Sequence, residues 1–265
     1  MGLDDGGVGS HRERGSPDYV EATQKSIAIL RFLKEHGPTT LSDLAAELGH
    51  AKSTVHRHLA TLEAEGFVNE GEEGYRVGLL FLDYGVHAQR AHDLYRAGKP
   101  KVDDLAEQLE EKVWLMAEED DRGVFLYHRQ GRDVFQTYTR VGYRAHLHAF
   151  AAGKAVLAHL PPERVDRVVR RHGLPAHTEH TVTNRETLRA ELETIREQGV
   201  AFNREESVNG VNGVAAPVLV GPDQPIGSIC IAGPANRVSG SRLEEELPNL
   251  LLGVANEIEV SLEYE

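Results

Sequence analysis

Near its N-terminus the sequence contains two short helix patterns separated by a turn with a single glycine. This feature limits the fold of the chain more than any other. Thr40 is placed to cap the first pattern, with Asp43 three residues on, and Gly49 ends it after about two turns. The second pattern ends at Gly66, and we expect Ser53 to be its N-cap. Two short helices around a tight glycine-containing turn predict a helix-turn-helix.

A preceding helix and a following hairpin complete this N-terminal module. Residues 19–37 form a first helix pattern, which Gly37 and Pro38 stop. Residues 67–69 and 75–77 are β-prone and flank a polar turn with two glycines, which predicts a wing-like hairpin. The expected inward faces of the first, second and third helices are Val20, Ile27, Leu30 and Leu33; Leu41, Leu44, Ala45 and Leu48; and Val55, Leu59 and Leu62.

The domain boundary is expected after the hairpin. Leu79 to Ala97 is typical of a helix, and Gly98-Lys99-Pro100 is expected to interrupt it before a second helix over residues 102–112. The sequence thus predicts four parts, which are a disordered tail (1–18), a winged helix-turn-helix (19–78), a linker helix (79–97) and a C-terminal domain (98–265).

The C-terminal domain mixes helix and strand periods, which predicts an antiparallel α+β sheet domain. Pro217 points to a sheet edge or a bulge. A long last helix is expected to bury Leu243, Leu247, Leu250, Val254, Ile258 and Leu262. The expected strands are 113–118, 123–129, 134–140, 214–220 and 226–232, and the expected helices are 154–159, 163–172 and 186–198.

Composition narrows the class of protein. Cys230 is the only cysteine, so an internal disulfide and a thiolate-rich zinc site are both excluded. We find no apolar run long enough for a membrane helix and no export signal, so we expect a cytoplasmic protein. No phosphate-binding glycine loop, Gly-x-Ser-x-Gly elbow or His-Glu-x-x-His helix is present, which disfavours a small-molecule enzyme, and we expect no catalytic residue, cofactor or metal.

The net charge of -13 argues against a nucleic-acid partner, because phosphate neutralisation dominates non-specific affinity. The chain has only 7 lysines against 22 arginines, and its acidic excess is spread along the whole length. This balance suits a protein kept soluble in concentrated salt, so we expect a halophilic source. In molar salt the Debye length falls to about 3 Å, so close contacts decide nucleic-acid binding.

The third helix carries the local charge that a DNA-binding helix requires. Helical spacing places Ser53, Thr54, Arg57 and Thr61 opposite its apolar stripe, with His56 and His58 at the margins. From His50 to Ala60 there are two cations, Lys52 and Arg57, and no Asp or Glu. Hydroxyls near phosphates and an arginine able to bind a base edge predict a helix in the major groove.

Arg76, just after the wing turn, is a second candidate DNA contact, whereas the acidic Glu70, Glu72 and Glu73 predict a wing that contacts DNA little. A surface helix with two cations is also common in winged-helix protein-interaction modules, and that alternative stays open. His146 and His148 alternate on a segment expected to be extended, so they would share one face, which suggests a metal or an anion partner. With no third ligand at a telling spacing, packing or hydrogen bonding is favoured.

Four stretches carry a family resemblance. They are ATQKSIAILRFLKEHGPTTLSDLAAELGHAKSTVHRHLATLEAEGFVNEGEEGYRVG, LHAFAAGKAVLAHLP, NGVAAPVLV and GSICIAGPANRVS. The chain resembles the IclR family of transcriptional regulators from about residue 20 to the C-terminus, and the runs Lys52-Ser53-Thr54-Val55-His56-Arg57 and Gly153-Lys154-Ala155 are specific to it. The resemblance implies N-terminal domains that pair, dimers or tetramers, and a GAF-like effector-binding domain.

The resemblance also implies an effector pocket, at Ala151, Ala152, Asn203, Gly213, Cys230 and Ala232. Several relatives have an acidic residue in place of Asn203 and a cysteine in place of Gly213, so this pocket is expected to be less charged and roomier. Neutral amides and glycine backbone in residues 202–213 suit a sugar or sugar acid, although solvent-facing Asn-Gly turns would give the same pattern. Cys230 is expected to be a buried thiol. The expected function is regulation of a catabolic pathway by a metabolite-responsive DNA-binding protein.

Overall fold

The structure is a computed structural model of the full chain, and it describes residues 19–131 and 139–264. The described residues divide into two compact units, residues 19–88 and residues 89–264 with the gap at 132–138. No helix in the described ranges is both long enough and apolar enough to cross a lipid bilayer.

Three helices form the body of the first unit, α1 (Glu21–His36), α2 (Leu41–Glu47) and α3 (Lys52–Ala64). The predicted inward face of α3 is confirmed, because Val55, Leu59 and Leu62 are buried. The predicted face of α1 is partly wrong. Of the four expected residues, Leu33 is buried and Leu30 is partly buried, whereas Val20 and Ile27 are exposed. Ile29, which was not expected, is the other buried residue of α1. The core of the unit consists of Ile29, Leu33, Leu44, Ala45, Val55, Leu59, Leu62, Val68 and Tyr75.

The two predicted helix caps have different outcomes. Thr40 caps α2 as expected, since its hydroxyl accepts from the Asp43 amide at 3.3 Å and donates to the Asp43 carboxylate at 2.7 Å. Ser53 does not cap α3. The N-cap is Ala51, which offers no side-chain acceptor, and the helix already begins at Lys52. The chain turns at Gly49, whose φ of 65° suits glycine, so Ser53 falls inside the first turn of α3.

The predicted hairpin is confirmed, with a tighter turn than expected. Strand β1 (Val68–Gly71) pairs antiparallel with β2 (Gly74–Val77) around a two-residue turn. Tyr75 exchanges backbone hydrogen bonds with Thr39, at 3.0 and 2.9 Å, which ties the wing to the segment between α1 and α2. A side chain at Gly74 would place its Cβ 2.5 Å from the Thr39 carbonyl carbon, so the contact requires glycine.

The expected helix break at Gly98-Lys99-Pro100 is wrong. The chain breaks at His92, between α4 (Leu80–Ala91) and α5 (Asp93–Gln108), and Pro100 lies inside α5. Proline removes one helical hydrogen bond, but buried residues on both sides of it hold α5 against the sheet. Gly98 is part of this packing, because a Cβ there would lie 2.8 Å from a methyl group of Leu115.

A six-stranded antiparallel sheet forms the centre of the second unit, as predicted, in the order β5-β4-β3-β8-β7-β6. Its strands are β3 (Lys112–Glu119), β4 (Arg122–Gln130), β5 (Arg144–Ala145), β6 (Ala201–Arg204), β7 (Val211–Leu219) and β8 (Pro225–Pro234). Strands β5 and β6 were not predicted. Most of the expected strand 134–140 falls outside the described residues. Pro217 follows the last residue of β7 that pairs with β6, Ala215, so it lies at a local edge as expected.

Helices cover both faces of this sheet and give two cores. Helices α5 and α9 (Leu247–Glu263) pack on one face, and α6 (Ala151–Ala158), α7 (Pro162–His172) and α8 (Arg185–Gln198) lie on the other. A 3-10 turn, Leu147–Ala149, precedes α6, and a π-helical turn, Arg242–Glu246, precedes α9. The predicted stripe of the last helix is partly wrong, because Leu250 is exposed and the buried face includes Leu251 and Ala255.

Candidate DNA-binding face and ligand cavity

The predicted DNA contacts on α3 lie on its solvent side. Lys52, Ser53, His56, Arg57 and Thr61 are exposed, and Thr54 is half-buried. Arg76 is exposed on β2 of the wing. Helical geometry therefore leaves a face with two cations and three hydroxyls available to a partner molecule. DNA contact by these residues stays a prediction.

Two of these side chains already have partners in the protein. The Lys52 ammonium donates to the Ser42 hydroxyl at 2.8 Å, so the first residue of α3 is tied to α2. The Thr61 hydroxyl donates to the Arg57 carbonyl at 3.0 Å within α3. Sequence reasoning missed the role of Ser42. Its position in the first turn of α2, ten residues before Lys52, could have indicated this contact. Arg57 remains as the long, exposed cation in the middle of α3.

His58, placed at the margin of the DNA face, instead belongs to the contact between α1 and α3. Its Nδ1 lies 2.9 Å from the Ser26 hydroxyl. Burial lowers the pKa of His58, and the nearby charge of Lys25 acts in the same direction. The Ser26 contact and the lowered pKa make His58 a poorer source of positive charge for DNA than an exposed histidine.

A cavity of about 490 Å³, including its open mouth, lies between the sheet and α6. All six positions expected for the effector pocket line it together, although they come from α6, β6, β7 and β8. That they bind an effector stays a prediction. The wall is formed by Trp114, Phe125, Thr139, Phe150, Ala151, Ala152, Asn203, Ser207, Val208, Val211, Asn212, Gly213, Cys230 and Ala232.

Close packing places the start of α6 at this cavity. Gly153 lies directly against the preceding 3-10 turn, where a Cβ would be 2.1 Å from the Leu147 carbonyl oxygen. The Ser228 hydroxyl of β8 donates to the Ala152 carbonyl at 3.0 Å, which fixes the helix over the sheet. The small side chains of Ala151 and Ala152 therefore line the cavity at this point, and a larger side chain at either position would occupy part of the cavity.

Asn203 holds the cavity wall together rather than presenting a free amide. It is 4% exposed, its Nδ2 donates to the Ala149 carbonyl at 2.7 Å, and its Oδ1 accepts from the Glu206 amide at 3.2 Å. Asn212 lines the cavity with its backbone, because its side chain lies on the opposite face of the sheet, where Nδ2 donates to the Val238 carbonyl. Asn209 is exposed. The amide-rich segment thus gives the cavity few free hydrogen-bonding groups.

Aromatic residues, which sequence reasoning missed, supply much of the wall. The rings of Trp114 and Phe125 lie 5.1 Å apart between centroids, and those of Phe125 and Phe150 lie 5.5 Å apart. Burial raises the pKa of Cys230 to about 12, so this residue is the buried, protonated thiol that the sequence predicted. The cavity wall is therefore mainly apolar and rich in aromatic rings.

A buried ion pair fastens the loop after β6 to α6. Lys154 is fully buried, and its ammonium lies 2.7 Å from both carboxylate oxygens of Glu206 and 2.5 Å from Glu191 on α8. Burial raises the pKa of Glu206, while the charge of Lys154 acts against that shift. The same loop contributes Ser207 to the cavity, so this ion pair fixes part of its wall.

Family models and relatives agree on what the chain is. A model described as the IclR helix-turn-helix domain matches residues 22–71, and one described as the bacterial transcriptional regulator IclR C-terminal matches residues 86–260. The chain belongs to the IclR family. A probable HTH-type transcriptional regulator ArcR from Halobacterium salinarum is 32% identical over 253 residues, which cover 94% of this chain and 96% of that protein.

Solved structures show the same two-part fold for this IclR-family chain. The Thermotoga maritima IclR structure aligns with a TM-score of 0.76 at 26% identity, covering 92% of this chain and 99% of that one. An IclR homologue from Microbacterium hydrocarbonoxydans, complexed with 4-hydroxybenzoate, has a TM-score of 0.79 at 22% identity, covering 92% and 100%. The chain is a DNA-binding transcription regulator and not an enzyme.

A group of histidines lies beside the cavity of this IclR-family regulator. His146 immediately precedes the 3-10 turn Leu147–Ala149 and His148 lies inside it, so the pair is not on the extended piece that the sequence suggested, yet their ring centroids are 5.9 Å apart. His177 lies 5.6 Å from His146. Burial lowers the pKa of His146 to about 3 and that of His148 to about 4, and the charge of Arg122 adds to both shifts. In the two described ranges, no group of three His, Cys, Asp or Glu is arranged to hold a metal ion.

The lowered pKa values of these histidines predict that the second unit loses stability in mild acid. Their folded pKa values lie below the unfolded value, so the unfolded chain binds more protons and stability falls as pH drops below about 6.5. At pH 5.5 His146 and His148 together cost about 3 kcal/mol. Urea unfolding at pH 7.5 and 5.5, followed by the fluorescence of the single tryptophan, Trp114, measures this loss.

The matched control distinguishes these two imidazoles from the other histidines. Replacing both with asparagine should flatten the dependence of unfolding free energy on pH, whereas His180→Asn, at an exposed site, should leave it steep. An equally steep slope in the double variant would show that other groups cause the acid sensitivity.

Proposed function

We propose that α3 is the helix that reads the operator. Arg57 binds a base edge in the major groove, and Lys52, Ser53 and Thr54, at the start of the helix, bind phosphates. The observation that carries this proposal is the face of α3, which is exposed, cationic and free of carboxylates from His50 to Ala60. Arg76 of the wing provides a second contact, and the acidic wing tip stays away from the backbone.

The regulator works as a homodimer, or as a tetramer of two dimers, in the cytoplasm. One short helix contacts too few base pairs for useful specificity, so two copies must present α3 together. No residue of α4 is buried within the described chain, and Leu79, Leu82 and Tyr84 in and next to it are 83%, 66% and 57% exposed. Exposed apolar residues of this size support pairing through α4 together with α1.

The cavity under α6 is the effector site. Its lining of aromatic and aliphatic side chains with a few polar groups is typical of a small-molecule pocket. The neutral amides of residues 202–213 favoured a sugar or sugar acid as the ligand. In the structure, however, the Asn203 amide is hydrogen-bonded within the protein, that of Asn212 lies on the opposite face of the sheet, and Asn209 is exposed. The aromatic walls instead favour a small organic acid with an apolar body, and the complex of the Microbacterium homologue with 4-hydroxybenzoate points the same way.

We expect Asn203→Leu to erase the effect of the ligand on operator affinity. Leucine cannot bind the Ala149 carbonyl or the Glu206 amide, so the cavity wall would lose its shape while α3 keeps its own core. A true effector shifts operator affinity by about 1–3 kcal/mol, and the variant should show no shift. Calorimetry with aromatic acids, hexonates and small carboxylates, followed by operator titrations with any binder, measures it.

The matched control is Asn209→Leu, at an exposed position of the loop that follows β6. It should bind the ligand and respond to it as the unchanged protein does. Normal regulation by a folded Asn203→Leu variant would mean that the effector binds outside this cavity.

A further inference from the structure

The register of the sheet places one lysine beside the cavity. A row of cross-strand neighbours runs from Lys112 on β3 to Ala232 on β8, then to Gly213 on β7 and Asn203 on β6. The last three line the cavity. Because side chains alternate along a strand and Trp114 faces the cavity, Lys112, two residues earlier, lies on the same face. Adjacent strands are about 4.8 Å apart, which a lysine side chain easily spans.

Lys112 is unusually well buried for a lysine. It is 7% exposed, and its ammonium lies 5.5 Å from the centroid of the Trp114 ring. A cation over an indole face is held in place by the ring quadrupole. Burial lowers the pKa of Lys112, which means that its charged form is poorly solvated there. An anion bound beside the ammonium would interact more strongly with its charge in this buried position than in water.

A second polar group lies next to this lysine. His128 is the cross-strand neighbour of Trp114 on β4, and the two ring centroids are 4.4 Å apart. Its Nδ1 is buried and has no hydrogen-bond partner in the described part of the protein. Burial lowers the pKa of His128, and the charge of Lys112 adds to that shift, so the two groups are close. A buried nitrogen without a partner is uncommon and is available to a ligand.

The rest of the described cavity wall offers no countercharge for an anion. Its lining consists of aromatic, aliphatic, amide and hydroxyl side chains and one thiol, with no lysine, arginine or histidine among them. Among the described residues, Lys112 is therefore the cation that the strand register places next to the cavity lining. A charged ligand bound anywhere else in this cavity would lose its hydration without an ionic partner.

We propose that Lys112 binds the anionic group of the effector, at the end of the cavity where β3 meets β8. The ligand is a small monocarboxylate whose apolar part lies against Trp114, and His128 supplies a further hydrogen bond. This assignment rests on the proposed function of the cavity as the effector site. It makes Lys112 the residue that distinguishes an acid from its neutral amide.

The test uses the fluorescence of Trp114, which is the only tryptophan and lines the cavity. Aromatic and short aliphatic monocarboxylates, each paired with its amide, are titrated into the full-length protein at millimolar concentrations. In the unchanged protein, acids should alter the fluorescence at lower concentrations than their amides. Lys112→Met, which keeps the length and loses the charge, should weaken acid binding about 10- to 100-fold and leave amide binding within twofold.

The control is Lys101→Met, which removes a more exposed lysine that pairs with Glu257 on α9 and should leave both affinities unchanged. Lys112→Arg should retain most of the preference for acids. Equal binding of acids and amides by the unchanged protein would overturn the role of Lys112 while leaving the cavity as the effector site. An equal loss of both by Lys112→Met would assign the residue a purely structural role. No response to any probe would remove both this inference and the proposed function of the cavity.

Discussion

Replacing Arg57 with alanine will abolish specific operator binding and leave the fold intact. The side chain is exposed in the middle of α3 and is not part of the core of its unit. A lost bidentate contact to a base costs about 1–3 kcal/mol, and a symmetric dimer loses it twice. The expected loss is therefore about 30- to 20,000-fold in affinity. Fluorescence anisotropy with DNA from the region next to its own gene, in concentrated salt, measures it.

The control for this variant removes the same charge elsewhere. Arg170→Ala, at an exposed position on α7, should bind operator with unchanged affinity. If Arg57→Ala bound as tightly as the unchanged protein, at equal thermal stability, the assignment of α3 as the reading helix would be wrong.

Replacing Lys154 with methionine will destabilise the second unit by about 3–5 kcal/mol. The ammonium is fully buried and contacts both oxygens of Glu206, so its loss leaves a buried carboxylate without its partner. Burial already raises the pKa of Glu206, and removing Lys154 raises it further. The loss should therefore shrink as pH falls, because Glu206 is then protonated in the folded state. Urea unfolding followed by Trp114 fluorescence measures both effects.

A double variant separates charge from packing. Lys154→Met combined with Glu206→Met replaces the pair by apolar side chains and should recover most of the lost stability. The exposed pair provides the reference, since Lys101→Met should cost less than about 1 kcal/mol. A double variant as unstable as Lys154→Met alone would mean that the loss comes from packing around the lysine stem.

Local signals were enough to predict most elements, and they failed where tertiary contacts decide. Thr40 caps α2 because the hydrogen bond is made within four residues. Pro100 did not end a helix, because buried residues on both sides hold α5 on the sheet. Ser53 lies two positions after the N-cap, Ala51, because the chain returns to helix by Lys52 after the turn at Gly49.

The same difference between local and long-range signals applies to the candidate site. Its six expected positions came from a family resemblance, since no local pattern brings Ala151 and Asn203 together. The aromatic walls and the ion pair of Lys154 with Glu206 arise from residues far apart in the chain, which a single sequence does not connect. The amides around Asn212 were assigned to the cavity as a group, whereas strand alternation directs this side chain to the opposite face.

The most direct test of this account is a footprint of the full-length protein on DNA next to its own gene, with and without a ligand that alters Trp114 fluorescence. Two protected half-sites about one helical turn apart, or a multiple of it, are expected because two copies of α3 read them. The protein concentration needed for protection should change about 5- to 150-fold when the ligand is present. A single protected half-site, or equal protection with and without a ligand that fills the cavity, would contradict this account.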